Sequence, residues 1–349
     1  MSGSLTIALD AMGGDNAPSI VVKGADMARR RFPDVNFLMF GDEQRILPLM
    51  KRRKRLRAIT EITHTDDVIA NDTKVSDALR KGKQSSMQLA INAVREDLAA
   101  GVVSAGNTGA LMAMAKLALR TMPGIDRPAI AAIFPTIRGE SVMLDLGANV
   151  ECDAENLVQF ALMGDVFART VLGTVSPSCG LLNVGSEEMK GHAEIQQAAA
   201  YLRQMGATLN FHGFVEGDDI AAGTTDVIVA DGFTGNIALK TTEGTARLIK
   251  EFLSDAFHSS LSSRLGYVLA RRGLRKMRDR IDPRRYNGAM FLGLTGIAVK
   301  SHGGTDAFGF ANAIGVAVDM AANGLNDKIT KGLEAFDDFQ PGPLEVAAS

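Results

Sequence analysis

The chain has no tryptophan, two cysteines and five histidines in 349 residues, and each shortage removes a kind of chemistry. Cys152 and Cys179 match neither a C-x-x-C redox motif nor a zinc spacing, so no metal-built or disulfide-built fold is expected. His64, His192, His212, His258 and His302 are scattered, without an H-E-x-x-H pair, and no G-x-S-x-G elbow presents a serine nucleophile. The usual nucleotide signatures are missing as well. Gly185-Ser-Glu-Glu-Met-Lys-Gly191 carries its second glycine after the lysine, unlike a P-loop, and no G-x-G-x-x-G follows the first strand. No cofactor and no metal is therefore expected. A net charge of −2 argues against a dedicated nucleic-acid binder. No uncharged run is long enough to span a bilayer: the longest candidate, 99–115, is broken by Gly106-Asn107-Thr108-Gly109. The first ten residues lack a basic n-region, so no signal peptide is read and a cytoplasmic protein is expected.

What the chain does have is aliphatic bulk, with 46% hydrophobic residues, 36 glycines and 16 methionines, patterned as alternating strands and helices. A strand at 6–9 leads to a helix capped by Asn16 with Pro18 in its first turn, then a strand at 36–40. Helices are expected at 86–100, 109–121, 154–172, 187–205, 236–256 and 306–323. Strands are expected at 102–105, 130–134, 141–146, 180–184, 208–215, 226–230 and 291–299. Such alternation predicts an α/β three-layer sandwich with a mostly parallel sheet. Residues 1–335 are read as one large domain and 336–349 as a flexible tail. Residues 254–285 stand apart as a basic amphipathic insertion, a helical hairpin turning near Gly273, with Arg271, Arg272 and Arg275 among its cations. The run 51–57 holds six cations in seven residues and reads as the solvated end of a helix.

Four apolar runs end in small, polar turns at 104–109, 145–149, 183–191 and 231–236, each followed by a helix-like segment. Ligands of open α/β sheets bind beyond the carboxyl ends of parallel strands, where helix N-termini and glycine-rich backbone hold anions. Side by side, these turns make an anion site from Gly106, Asn107, Thr108, Asn149, Gly185, Ser186, Gly232, Thr234 and Gly235. Asp10, Gly13 and Gly14 after the first strand and His302 before the last helix join it. Asp10 and Asp15 either orient a cation or satisfy their own turn, and Asp145 admits the same two readings. Lys190 either neutralises a bound phosphate or is a solvated lysine; Asn236 either orients a substrate oxygen or is the N-cap of the long helix. Arg80, Lys83, Ser85 and Ser86 offer a further cationic helix start.

In this order, the segments Ala8-Leu-Asp-Ala-Met-Gly-Gly-Asp15, Ser104-Ala-Gly-Asn-Thr-Gly109, Leu144-Asp-Leu-Gly-Ala-Asn149, Leu182-Asn-Val-Gly-Ser-Glu-Glu-Met-Lys-Gly191, Ala230-Asp-Gly-Phe-Thr-Gly-Asn236 and His302-Gly-Gly-Thr-Asp306 resemble the phosphate acyltransferases of bacterial phospholipid synthesis. One departure is Lys74, where the family commonly has proline. The resemblance implies a homodimer with the fold of phosphotransacetylases and the isocitrate dehydrogenase group. It implies transfer of a long-chain acyl group from acyl carrier protein to inorganic phosphate, the acyl phosphate then passing to a glycerol-3-phosphate acyltransferase. It also puts catalytic weight on Lys190 and Asn236. The basic insertion then has three readings: a contact for the acidic carrier, a peripheral contact with the anionic inner face of the plasma membrane, or an arm packed on the partner subunit. The rival activities are a phosphotransacetylase using short acyl-CoA and a non-catalytic membrane or carrier adaptor; a nicotinamide-linked dehydrogenase lacks its fingerprint.

Overall fold

The computed structural model describes residues 5–337. Its strands are β1 (Leu5–Asp10), β2 (Val35–Gly41), β3 (Thr60–His64), β4 (Gly101–Ser104), β5 (Ala129–Pro135), β6 (Glu140–Leu144), β7 (Ser178–Leu182), β8 (Asn210–Val215), β9 (Val227–Val229), β10 (Ala289–Leu292) and β11 (Ile297–Lys300). Among the described residues they form one sheet in the order β3-β2-β1-β4-β11-β10-β5-β6-β9-β7-β8. Successive side chains of a strand point to opposite faces, and here both faces are apolar. Ile7, Leu9, Val103, Val142 and Val227 face the layer that holds helices Ser19–Arg31, Ala154–Phe167 and Ala307–Ala322. Ala8, Val102, Met143 and Ile228 face the layer that holds helices Ser86–Arg95 and Thr108–Leu119. The expected three-layer α/β architecture is present.

The sheet is parallel except at its centre, where β11–β10, β10–β5 and β5–β6 are antiparallel. Three reversals leave the block β3-β2-β1-β4-β11 and the block β6-β9-β7-β8 running in opposite directions. Turns 145–149, 231–236 and 183–191 therefore follow the neighbouring strands β6, β9 and β7 at one edge, while 104–109 follows β4 in the other block. All four were expected side by side; three are. One of the three reversals arises because the apolar run expected as one strand at 291–299 is two antiparallel strands, β10 and β11, around Gly293-Leu-Thr-Gly296.

Other differences are local. The first helix begins at Ser19 with Pro18, not Asn16, in the cap position. The helix expected to 100 stops at Arg95, and the one expected from 187 begins at Ala193. The helical hairpin joins Gly232–His258 to Leu261–Arg280 and turns at Ser259–Ser260, where Ser260 caps the second helix by accepting the Ser263 N–H at 3.0 Å. Gly273 lies inside that second helix. Phe257 and Tyr267 meet edge to face at 5.4 Å and tie the two helices together. No residue of Leu261–Arg280 is buried. The expected tail at 336–349 lies outside the described residues beyond Asp337, the last residue of the helix Leu325–Asp337.

Candidate active site

Three groups of turns carry the site residues. In the first, β1, β4 and β11 are neighbours and end together. Asp10, only 1% exposed, accepts hydrogen bonds from the Met12 and Gly13 N–H groups at 3.2 and 3.1 Å and from the Ser86 and Ser104 hydroxyls at 2.6 Å each. Burial pushes its carboxyl above the usual range, against the pull of these four donors. Its work is to hold the turns together. Gly13 has no room for a side chain: a Cβ there would lie 2.3 Å from the Asp10 carboxylate and 2.7 Å from the Gly106 nitrogen. Gly14 sits at φ +98°, a conformation that favours glycine.

Asn107 caps the helix Thr108–Leu119, accepting from the Ala110 N–H at 2.9 Å while its amide donates to the Asn71 and Thr73 carbonyls. The N–H groups of Thr108 and Gly109 have no acceptor within their helix and stand at its positive end, as an anion site requires. His302 is exposed; its N–H donates to Asn287 Oδ1 at 2.9 Å and its Nδ1 accepts from Gly304 at 3.2 Å.

Lys300, the last residue of β11, belongs to no sequence motif. It is 8% exposed, and its ammonium donates to the Ala105 and Ser301 carbonyls, directly beneath both turns. Burial lowers its pKa to about 8; Asp10 and Asp15 oppose that shift, and the charge of Lys240 adds to it.

The second group follows β6 and β9. Asp145 is fully buried and accepts from the N–H groups of Ile130, Gly147, Ala148 and Asn149 at 2.7–3.2 Å, and from the Asn149 amide at 2.9 Å. Burial raises its carboxyl too. It is the counterpart of Asp10, so the second reading of both aspartates, satisfying the turn, is the observed one. Asn149 also donates to the Pro128 carbonyl at 2.8 Å. Gly232 donates to the Asn149 carbonyl at 2.7 Å, and a Cβ on Gly235 would fall 1.9 Å from the Asp145 carbonyl. These glycines let one turn press on the next.

Asp231, not Asn236, caps the long helix, accepting from the Thr234 N–H at 2.7 Å and its hydroxyl at 2.9 Å. Asn236 is thereby released from capping. It is exposed beside Gly147, and its side chain has no hydrogen-bond partner among the described residues.

The third group is the loop after β7. Asn183 donates to the Lys190 carbonyl at 3.0 Å, closing 183–190 on itself ahead of the helix that starts at Ala193. Lys190 is thus a loop residue rather than a first-turn residue, which removes the conflict between a lysine and the positive end of a helix. Its ammonium sits 3.1 Å from Glu187, and both side chains are exposed. The Glu187 carboxyl is held below its usual range by its own backbone N–H and by Lys190. Ser186 is exposed and Gly185 buried.

The long helix links the blocks. Asn236 and Lys240 lie one turn apart on one face, Asn236 against the Gly147 turn and Lys240 near enough to Lys300 to bear on its charge. That linkage could not be read from the strand-end motifs, because it runs along a helix between opposite halves of the sheet.

This arrangement is the architecture of the phosphotransacetylases. The chain superimposes on a phosphotransacetylase from Streptococcus pyogenes with a TM-score of 0.61 at 16% identity, covering 92% of this chain and 95% of that one. A branched-chain phosphotransacylase from Enterococcus faecalis gives 0.55 at 12% identity, over 91% and 99%. At such identities the likeness shows the fold. The sequence goes further. The family described as "Fatty acid synthesis protein" matches residues 5–328. The phosphate acyltransferase of Rhodospirillum centenum is 66% identical over 348 residues, covering 100% of this chain and 97% of the relative. That of Paramagnetospirillum magneticum is 58% identical, covering 100% and 99%. The chain belongs to the phosphate acyltransferase family and is an enzyme.

Proposed function

We propose that this acyltransferase moves a long-chain acyl group from acyl carrier protein to inorganic phosphate, supplying acyl phosphate for phospholipid synthesis. The observation that carries the reading is a division of labour. Asp10, Asn107, Asn149 and Thr234 spend their polar groups holding turns, whereas among the described residues the Asn236 amide has no hydrogen-bond partner and the Lys190 ammonium has only an exposed glutamate. An unpaired amide and a loosely held ammonium in turns after the neighbouring strands β9 and β7 suit a thioester, which needs no covalent enzyme intermediate.

In the proposed reaction, hydrogen phosphate lies among the turn N–H groups and Lys190, and one of its oxygens attacks the thioester carbon. Asn236 donates to the carbonyl oxygen as it becomes an oxyanion. Collapse breaks the C–S bond, and the thiolate takes the proton that hydrogen phosphate loses. One thioester and one hydrogen phosphate give one acyl phosphate dianion and one free thiol. The product is a mixed anhydride, suited to attack by the hydroxyl of glycerol 3-phosphate in a following acyltransferase.

The arm supports a carrier-borne, long-chain donor over a short acyl-CoA. Leu261, Leu265, Val268 and Leu269 are exposed beside Arg271, Arg272 and Arg275, which make no ion pair among the described residues. Such a face suits an acidic carrier or an anionic lipid surface. Among the described residues no helix is long and apolar enough to cross a membrane, so any lipid contact is peripheral.

The donor test is direct. Palmitoyl-acyl carrier protein is expected to be used at least about a hundredfold better than acetyl-CoA in kcat/KM, equivalent to roughly 3 kcal/mol; the reverse order would establish the short-chain rival. For the arm, each basic residue near an anionic surface contributes about 1 kcal/mol. Changing Arg271, Arg272 and Arg275 to glutamate is therefore expected to cut co-sedimentation with phosphatidylglycerol vesicles by a hundredfold or more. Unchanged vesicle binding with loss of the dimer would make the arm a subunit contact instead.

A further inference from the structure

We propose that Lys240 binds the attacking phosphate, from the helix face it shares with Asn236. The inference deepens the acyl-to-phosphate reading and rests on it. Lys240 belongs to none of the strand-end turns. It stands four residues beyond Asn236 in an unbroken helix, so the two Cβ atoms are neighbours, about 5–6 Å apart. A nucleophile poised on a carbonyl carbon lies about 3–3.5 Å away from it. With the carbonyl oxygen held at Asn236, the phosphate falls within the span of one helical turn, which Lys240 covers.

A second cation lies near enough to Lys240 to feel its charge. Lys300 is buried, and two of its three N–H donors go to the Ala105 and Ser301 carbonyls; the third has no acceptor among the described residues. Ala105 belongs to the turn that leads into the helix Thr108–Leu119, whose first N–H groups have no acceptor within the helix. Lys240 comes from the opposite block of the sheet and lies near enough to Lys300 for like charges to repel. An anion between them turns that repulsion into two attractions. Asp10 and Asp15 are the acids that face Lys300, and the Asp10 carboxylate already accepts four hydrogen bonds in its own turns.

Lys240 is also free to serve. Its one ion pair is with Glu243, 3.0 Å away on the next turn and solvent-exposed. Exposed pairs of this kind are weak and exchange readily for a better anion. Phosphate, with two negative charges and several acceptor oxygens, is such an anion.

The test is steady-state kinetics with inorganic phosphate and palmitoyl-acyl carrier protein varied separately, alongside calorimetric titration of inorganic phosphate into enzyme without donor. Lys240→Ala is expected to raise KM for phosphate about ten- to a hundredfold, the scale of a hydrogen bond to a charged group, and to leave KM for the acyl donor within twofold. Lys240→Arg is expected to recover part of the loss, and Glu243→Gln not to raise KM for phosphate. An unchanged phosphate KM in Lys240→Ala, or equal rises in both KM values, would overturn the proposal. If wild-type enzyme forms no acyl phosphate yet binds phosphate in a Lys240-dependent way, the acyl-transfer reading fails while the site stands; if phosphate binding ignores Lys240, the site fails.

Discussion

Alanine at Lys190 or at Asn236 is expected to lower kcat/KM for acyl phosphate formation by about a hundredfold or more, while leaving the unfolding temperature at the wild-type value. The magnitude is that of one donor to a developing oxyanion or to a bound anion in a preorganised site. The absence of a stability effect follows from the structure. Lys190 holds only the exposed Glu187 at 3.1 Å, a pair whose loss has little effect on folding. The Asn236 side chain is exposed and makes no hydrogen bond among the described residues, and the cap of its helix is Asp231. The two observables separate because neither side chain supports the fold. Rates within threefold of wild type in both variants would remove these residues from catalysis and leave the turns as architecture.

Gly235→Ala is expected to do the opposite, destabilising the protein by about 2–3 kcal/mol, as overpacking of a close-packed site does. The added methyl would fall 1.9 Å from the Asp145 carbonyl, so the long helix must lift off the 145–149 turn. Asp145 holds that turn with four backbone N–H groups and the Asn149 amide, and none of these donors finds a substitute when the turn opens. Gly244 is the matched control. It lies in the same helix with nothing within 4 Å of an added Cβ, so Gly244→Ala is expected to stabilise by roughly 0.5–1 kcal/mol. Urea unfolding of the two variants reads both signs. Equal, neutral effects would show that the turns do not depend on close backbone approach.

Much of the fold was legible because buried parallel strands read as short apolar runs: 102–105 and 226–230 are displaced by one residue or less at each end from β4 and β9. Long apolar helices such as the largely buried Ala154–Phe167 were equally clear. Strand direction was not legible. Nothing in 291–299 distinguishes one strand from two around Gly293 and Gly296, yet that turn is part of what reverses half the sheet. The strand-end turns were found from their glycines, but the reason for the glycines was not. At Gly13, Gly232 and Gly235 the demand comes from backbone pressed against neighbouring turns. Lys300 escaped notice because a lysine closing an apolar strand carries no motif, and its burial depends on β4 lying beside β11. Asn236 was read as the first residue of a helix at 236–256 with the capping role open; the helix begins at Gly232, and the Asp231 carboxylate, three residues before Thr234, takes that role by geometry. The loop of Lys190 was mistaken for a helix start because Glu187 and Glu188 suit a first turn, while Asn183 closes the segment as a loop.

The most direct measurement of the central claim is to incubate the enzyme with palmitoyl-acyl carrier protein and inorganic phosphate labelled with oxygen-18 at every position, and to weigh the products. The expected product is palmitoyl phosphate that keeps all the phosphate oxygens, including the one now bonded to the acyl carbon, with an equal amount of carrier thiol released. Unlabelled free palmitate as the primary product, or intact donor after prolonged incubation with folded enzyme, would contradict it.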